Sequence, residues 1–124
     1  MILVDTSVWV DHLRSGDEDL AALLNATQVL MHPFVLGDLA CGNLRQRTEV
    51  PALLKDLPQA TVARDEEVLF FIEHHALMGR GIGYVDTHLL AAVALDGGAR
   101  LWTRDKCLQT LAGELGMAYP PVRR

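Results

Sequence analysis

A chain of 124 residues, half of them apolar, can bury one core of ordinary size and is too hydrophobic to stay disordered. Its formal charge of −5 argues against a protein that coats nucleic acid by bulk attraction, but not against a nuclease, whose carboxylates themselves make a chain acidic. Charged residues interrupt every apolar run short of a membrane span, and the opening MILVDTSVW lacks the basic residues and apolar length of a secretory signal, so the expectation is a soluble cytoplasmic protein with one domain over residues 1–124.

The first predicted strand is Ile2-Leu3-Val4, and Asp5 follows it directly. Thr6 or Ser7 is placed to cap the helix that comes next, where a side-chain oxygen satisfies free backbone N–H groups. Asp17 to Ala26 has Leu20, Leu23 and Leu24 on one helical face. Val29-Leu30-Met31 reads as the second strand. Pro33 suits the first turn of a helix running to about Arg45, which sets Asp38 in the helix interior with Phe34 four residues before it and Cys41 three after. Ala60-Thr61-Val62 reads as a third strand, and Glu66 to Met78 as a helix with Val68, Leu69, Ile72 and Ala76 in register. Gly79, Gly81 and Gly83 punctuate the chain before the next helix, Asp86 to Ala94, which carries Leu89, Leu90 and Val93. The strand Leu101-Trp102-Thr103 leads through Arg104 to Asp105 and a helix from Lys106 to Leu115 bearing Leu108, Leu111 and Leu115. Met117 to Tyr119 is a weaker strand, and Arg123-Arg124 reads as a frayed tail. Cys41 and Cys107 form no CxxC pair and no zinc spacing, so both read as core thiols.

Strands separated by helices imply parallel pairing with right-handed crossovers, hence a three-layer α/β/α sandwich whose working site lies at the carboxyl ends of the strands. Asp5 and Asp105 both fall at that edge. Asp86 stands in line with the apolar stripe of its helix, and Asp38 sits on an apolar helix face where an unpartnered charge is costly. Helix capping accounts for Asp5, Asp86 and Asp105 one at a time, but not for Asp38, nor for all four meeting on one rim. Carboxylates gathered together repel, and cations among them relieve the repulsion; oxygen-only ligands suit magnesium or manganese. Two such cations can activate a water and stabilise the attacking and leaving oxygens of a phosphodiester. The hydroxyls of Thr6, Ser7 and Thr103 are placed to hold metal-bound water or a phosphate. Arg14, Arg45, Arg47, Arg80 and Arg104 are candidates for phosphate contact, with Arg80 and Arg104 favoured because each lies near an acid in sequence. His12, His32, His74, His75 and His88 show no metal spacing, and Trp9 and Trp102 read as packing residues.

The stretches LVDTSVWVDHLR, HPFVLGDLACGNL, GRGIGYVDTHLLAA and LWTRDKCL together span nearly the whole chain, and in this order and spacing the sequence resembles the PIN-domain family, within it the VapC-type toxins of bacterial toxin–antitoxin pairs. The resemblance implies a PIN-like fold with a mostly parallel sheet and a magnesium- or manganese-dependent endoribonuclease, usually homodimeric, whose active-site groove an antitoxin occupies. By position Asp5, Asp38, Asp86 and Asp105 match the four family acids, with Asp5 and Asp86 as direct metal ligands and Asp105 supporting a second metal or its waters. The second acid is usually Glu in the family, and Asp38 is one methylene shorter. A phosphatase that uses Asp5 as nucleophile would need a second Asp two residues later, where this chain has Ser7; a receiver-like phosphoacceptor would need a lysine better placed than Lys106. The alternative from another class is a catalytically impaired binding module that keeps the fold and the antitoxin contact.

Overall fold

In the computed structural model, which describes residues 1–120, the chain runs β1 (Ile2–Val4), α1 (Thr6–Ser15), α2 (Glu18–Asn25), β2 (Val29–Leu30), α3 (Pro33–Ala40), α4 (Glu49–Lys55), α5 (Asp65–His74), α6 (Tyr84–Leu95), β3 (Arg100–Trp102) and α7 (Lys106–Glu114). The Arg123-Arg124 tail lies outside the described residues. β1 is the middle strand of a parallel sheet of order β2-β1-β3. Leu3 pairs with Leu30 on one side and Leu101 on the other, and Val4 faces Trp102. Helices cover both faces, so β1 is a run of buried aliphatics rather than an alternation of polar and apolar residues. This is the α/β sandwich expected from the alternation of strands and helices.

Two expected strands shrink to single bridges at the sheet edges. Met31 bridges to Gln59, beyond β2, and Ala118 bridges to Leu101, beyond β3. Ala60 N–H does reach the Met31 carbonyl, but Thr61 turns away: its N–H and hydroxyl both donate to the Asp96 carboxylate, so Ala60-Thr61-Val62 does not continue as a strand. Met117 to Tyr119 holds the opposite edge through Leu101 N–H to the Met117 carbonyl and Tyr119 N–H to the Leu101 carbonyl.

Helix ends account for most other differences. α3 stops at Ala40, not near Arg45, and the Arg47 guanidinium donates to the Ala40 and Gly42 carbonyls that the helix leaves free. α5 ends at His74, and Leu77 N–H closes it on the Ile72 carbonyl while Ala76 takes a left-handed conformation, φ 53°. Leu69 points outward, 57% exposed, because Val68 and Phe71 form the buried face of α5. α4 is absent from the sequence pattern, because seven residues hold too few turns for a period to show and Pro51 reads as a break. α6 is buried from Thr87 to Val93, packs against α5 and β3, and forms the centre of the helical layer. Both cysteines are exposed, which corrects their reading as core thiols: Cys41 lies past the end of α3 and Cys107 on the outer side of α7. Among the described residues, no helix is long and apolar enough to cross a membrane.

Candidate active site

The carboxyl edge of the sheet is built outward from β1. Val4 ends the strand opposite Trp102, and Asp5 N–H donates to the Trp102 carbonyl at 2.9 Å, which fixes the start of α1 beside the end of β3. Asp5 occupies the N-cap position of α1, yet its carboxylate caps nothing. Its Oδ2 accepts from Ser7 Oγ and from Thr103 Oγ1, each at 2.8 Å. Both hydroxyls go to one oxygen of a buried carboxylate, and Oδ1 receives neither. The expectation that Thr6 or Ser7 caps α1 is therefore overturned: Ser7 serves Asp5, and Thr6 Oγ1 donates to Asp38 Oδ2 at 3.2 Å.

Asp105 does cap its helix, accepting Leu108 N–H at 2.9 Å, and its own N–H donates to Thr103 Oγ1. Asp86 is no cap. α6 starts at Tyr84 with Gly83 in the capping position, so Asp86 lies within the first turn. The Asp86 carboxyl is held above its ordinary value, first by burial and then by the charge of Asp5, with Asp105 and Asp38 adding to the effect against a Gly83 backbone contact that opposes it. The charges of all three other acids therefore reach Asp86. Asp38 is exposed on α3 rather than buried on an apolar face, and its hydrogen-bond partner is Thr6 of α1.

The four acids carry no ion pair among the described residues, whereas their acidic neighbours do. Arg104 pairs with Asp11 and with Asp17, the latter at 2.6 Å, and Arg80 pairs with Glu114 at 2.6 Å. Both arginines favoured for phosphate contact are thus turned to carboxylates away from the rim. Arg14 and Arg45 instead line a groove of about 580 Å³ with Asp38, walled by Val10, Leu13, Leu39 and Val50. Sequence reasoning missed Asp11 as the partner of Arg104; its only signal is a position on α1 two turns beyond Asp5.

The donor set suits a hard divalent cation: oxygen atoms only, like-charged, without an ion-pair partner among the described residues, and with one oxygen of Asp5 free of its hydroxyl partners. Asp5 and Asp86 are the residues that would hold it. No three acidic, histidine or cysteine side chains close into a ready cage among the described residues. The buried histidines lie elsewhere. His32 Nδ1 accepts Phe34 N–H at the start of α3, and His88 Nε2 sits 3.3 Å from Asp65. Trp9 and Trp102 are buried, in agreement with packing roles.

The sequence signature of the PIN domain matches residues 2–114. Ribonuclease VapC32 of Mycobacterium tuberculosis is 50% identical over 118 residues in each of two strains, covering 95% of both chains. Hydroxyethylthiazole kinase of Yersinia enterocolitica is 28% identical over 102 residues, which cover 82% of this chain but 38% of that enzyme.

Proposed function

The chain belongs to the PIN-domain family and within it to the VapC type, and from that premise we propose that it is a metal-dependent endoribonuclease toxin, neutralised by a cognate antitoxin. One observation carries the catalytic part: the Asp86 carboxyl is raised first by burial and then by the charges of Asp5, Asp105 and Asp38, none of which meets a cationic side chain among the described residues. Such a cluster is stabilised by magnesium or manganese, and a cation bound there supplies a water of lowered pKa and a counter-charge for phosphate oxygens. Asp5 and Asp86 are the proposed ligands, and Asp38 and Asp105 complete the catalytic rim. Ser7 and Thr103 hold Asp5 Oδ2 and so leave Oδ1 to face the cation. Thr6 orients Asp38 through its hydroxyl. Arg14 and Arg45, rather than Arg80 and Arg104, are the guanidiniums placed to receive RNA phosphates, since they share the groove with Asp38.

The proposed unit is a single PIN-like domain over residues 1–124, acting in the cytoplasm. The groove walled by Val10, Leu13 and Val50 offers the antitoxin an apolar seat ending at Asp38. Phe70 of α5 and Leu95 of α6 share an exposed concavity suited to a second copy, in keeping with a homodimer. A second reading, an impaired binding module, is favoured by the shorter acid at Asp38, which is tied to Thr6.

The test is cleavage of a mixed RNA pool by protein freed of co-purified partner, with magnesium or manganese and with chelator, beside Asp5→Asn protein. Cleavage that requires both the metal and Asp5 is the expected result. Cation binding and antitoxin capture without cleavage would support the module, and cleavage indifferent to Asp5 would sink the assignment.

A further inference from the structure

Loop 103–105 carries two groups of the rim, Thr103 on Asp5 and Asp105 at the head of α7, on three residues between β3 and α7. Its middle residue points the other way. The Arg104 guanidinium forks between Asp11 on α1 and Asp17, the N-cap of α2, and lies 5.7 Å from the centre of the Trp102 ring. Its backbone N–H donates to Ser7 Oγ at 3.0 Å, the same hydroxyl that donates to Asp5. The fork engages both carboxylates at once, a geometry that a planar guanidinium can meet and an ammonium cannot reproduce. The contacts also act on the partners: the Asp17 carboxyl is held below its ordinary value by Leu20 N–H and then by Arg104.

We propose that Arg104 is a positioning residue, whose ion pairs with Asp11 and Asp17 clamp the Thr103–Asp105 loop against α1 and thereby set Thr103 and Asp105 relative to Asp5. Its consequence for catalysis rests on the ribonuclease reading; the clamp itself does not. Exposed ion pairs add little to global stability, so the clamp acts through geometry. A displacement of about 1 Å at a catalytic rim costs up to roughly 100-fold in rate. RNA phosphate could then reach the Arg104 guanidinium only by displacing Asp11 or Asp17 from the fork.

The experiment compares Arg104→Gln, Arg104→Lys, the Asp11→Asn/Asp17→Asn double variant and the combined triple variant. Asn at position 17 keeps the α2 cap, so the double variant removes charge without removing the helix start. Two readouts are taken: amide hydrogen exchange at residues 104 and 105, and kcat and KM for RNA cleavage. The expected result is faster exchange in Arg104→Gln and in the double variant. It comes with a kcat loss of about ten-fold or more and KM within about two-fold, no further loss in the triple variant, and partial recovery in Arg104→Lys. Unchanged exchange in Arg104→Gln would overturn the clamp. A raised KM with unchanged kcat in Arg104→Gln, with the double variant normal, would overturn it in favour of direct RNA contact. If the wild type cleaves no RNA, the ribonuclease reading fails while the exchange arm still decides the clamp.

Discussion

At the scale of single residues, like charges and burial set the behaviour of the site. The Asp86 carboxyl titrates above its ordinary value of 3.8, so between that value and its raised one the native chain holds a proton the unfolded chain has lost. Native stability therefore falls as pH rises through this window. Asp86→Asn is expected to raise the melting temperature of cation-free protein at neutral pH and to flatten that dependence, while lowering RNA cleavage by about 100-fold or more; calorimetry with chelator and a cleavage assay check the two halves. His32 behaves in the opposite sense. It is fully buried, and burial, then the charge of His88, pushes it down from 6.5 to about 4. The unfolded chain takes up the proton first, so stability is complete above pH 6.5 and is lost as pH falls toward 4. His32→Asn keeps an acceptor for Phe34 N–H and is expected to flatten the acid side of the stability profile, as read by denaturant unfolding at pH 7 and pH 5.

At the scale of elements, the chain closes three helices with the same device. Gln28 N–H returns to Leu23, Leu77 N–H to Ile72 and Met117 N–H to Ala112, each around a residue of positive φ: Thr27, Ala76 and Gly116. Only the last is glycine, which adopts that conformation without a Cβ clash. Exposed Ala76→Gly is accordingly expected to stabilise the chain by about 0.5–1 kcal/mol, measured as a shift of the urea midpoint at constant slope. Asp105 caps α7 and is also proposed to serve the rim, and substitution can separate the two. Asp105→Ala should cost about 1 kcal/mol by removing the cap on Leu108 N–H, whereas Asp105→Ser should keep most of that stability and still lose cleavage. Equal stability in the two variants would mean that the cap contributes nothing. The capping logic read from sequence thus holds at Asp105 and fails at Asp5, whose carboxylate is claimed by two hydroxyls, one of them 98 residues away.

At the scale of the whole molecule, folding gathers carboxylates from both ends and the middle of the chain, and a cation that binds only the folded state should return stability. With manganese at about 100-fold over its dissociation constant, a rise of roughly 5–10 °C in melting temperature is expected, absent from the Asp5→Asn/Asp86→Asn variant. No shift in the wild type would argue against a cation site at this rim. Much of this was legible in the sequence. Strands β1, β2 and β3 and helices α2, α6 and α7 carry strong local patterns, and strand-end position alone set Asp5 after β1 and Asp105 after β3, at the edge where Thr103 meets Asp5. By itself, then, the sequence determined most of the element order, the parallel sandwich and the acids from which the proposed site is drawn, because periodicity and strand-end position are local properties. Tertiary structure alone decided which charges remain unpaired: Arg80 and Arg104 find Glu114, Asp11 and Asp17, while Arg14 and Arg45 enter the groove beside Asp38. The physical reason is that a side chain's partner is set by the packing of elements distant in sequence, and Arg104 meets Asp11 across 93 residues.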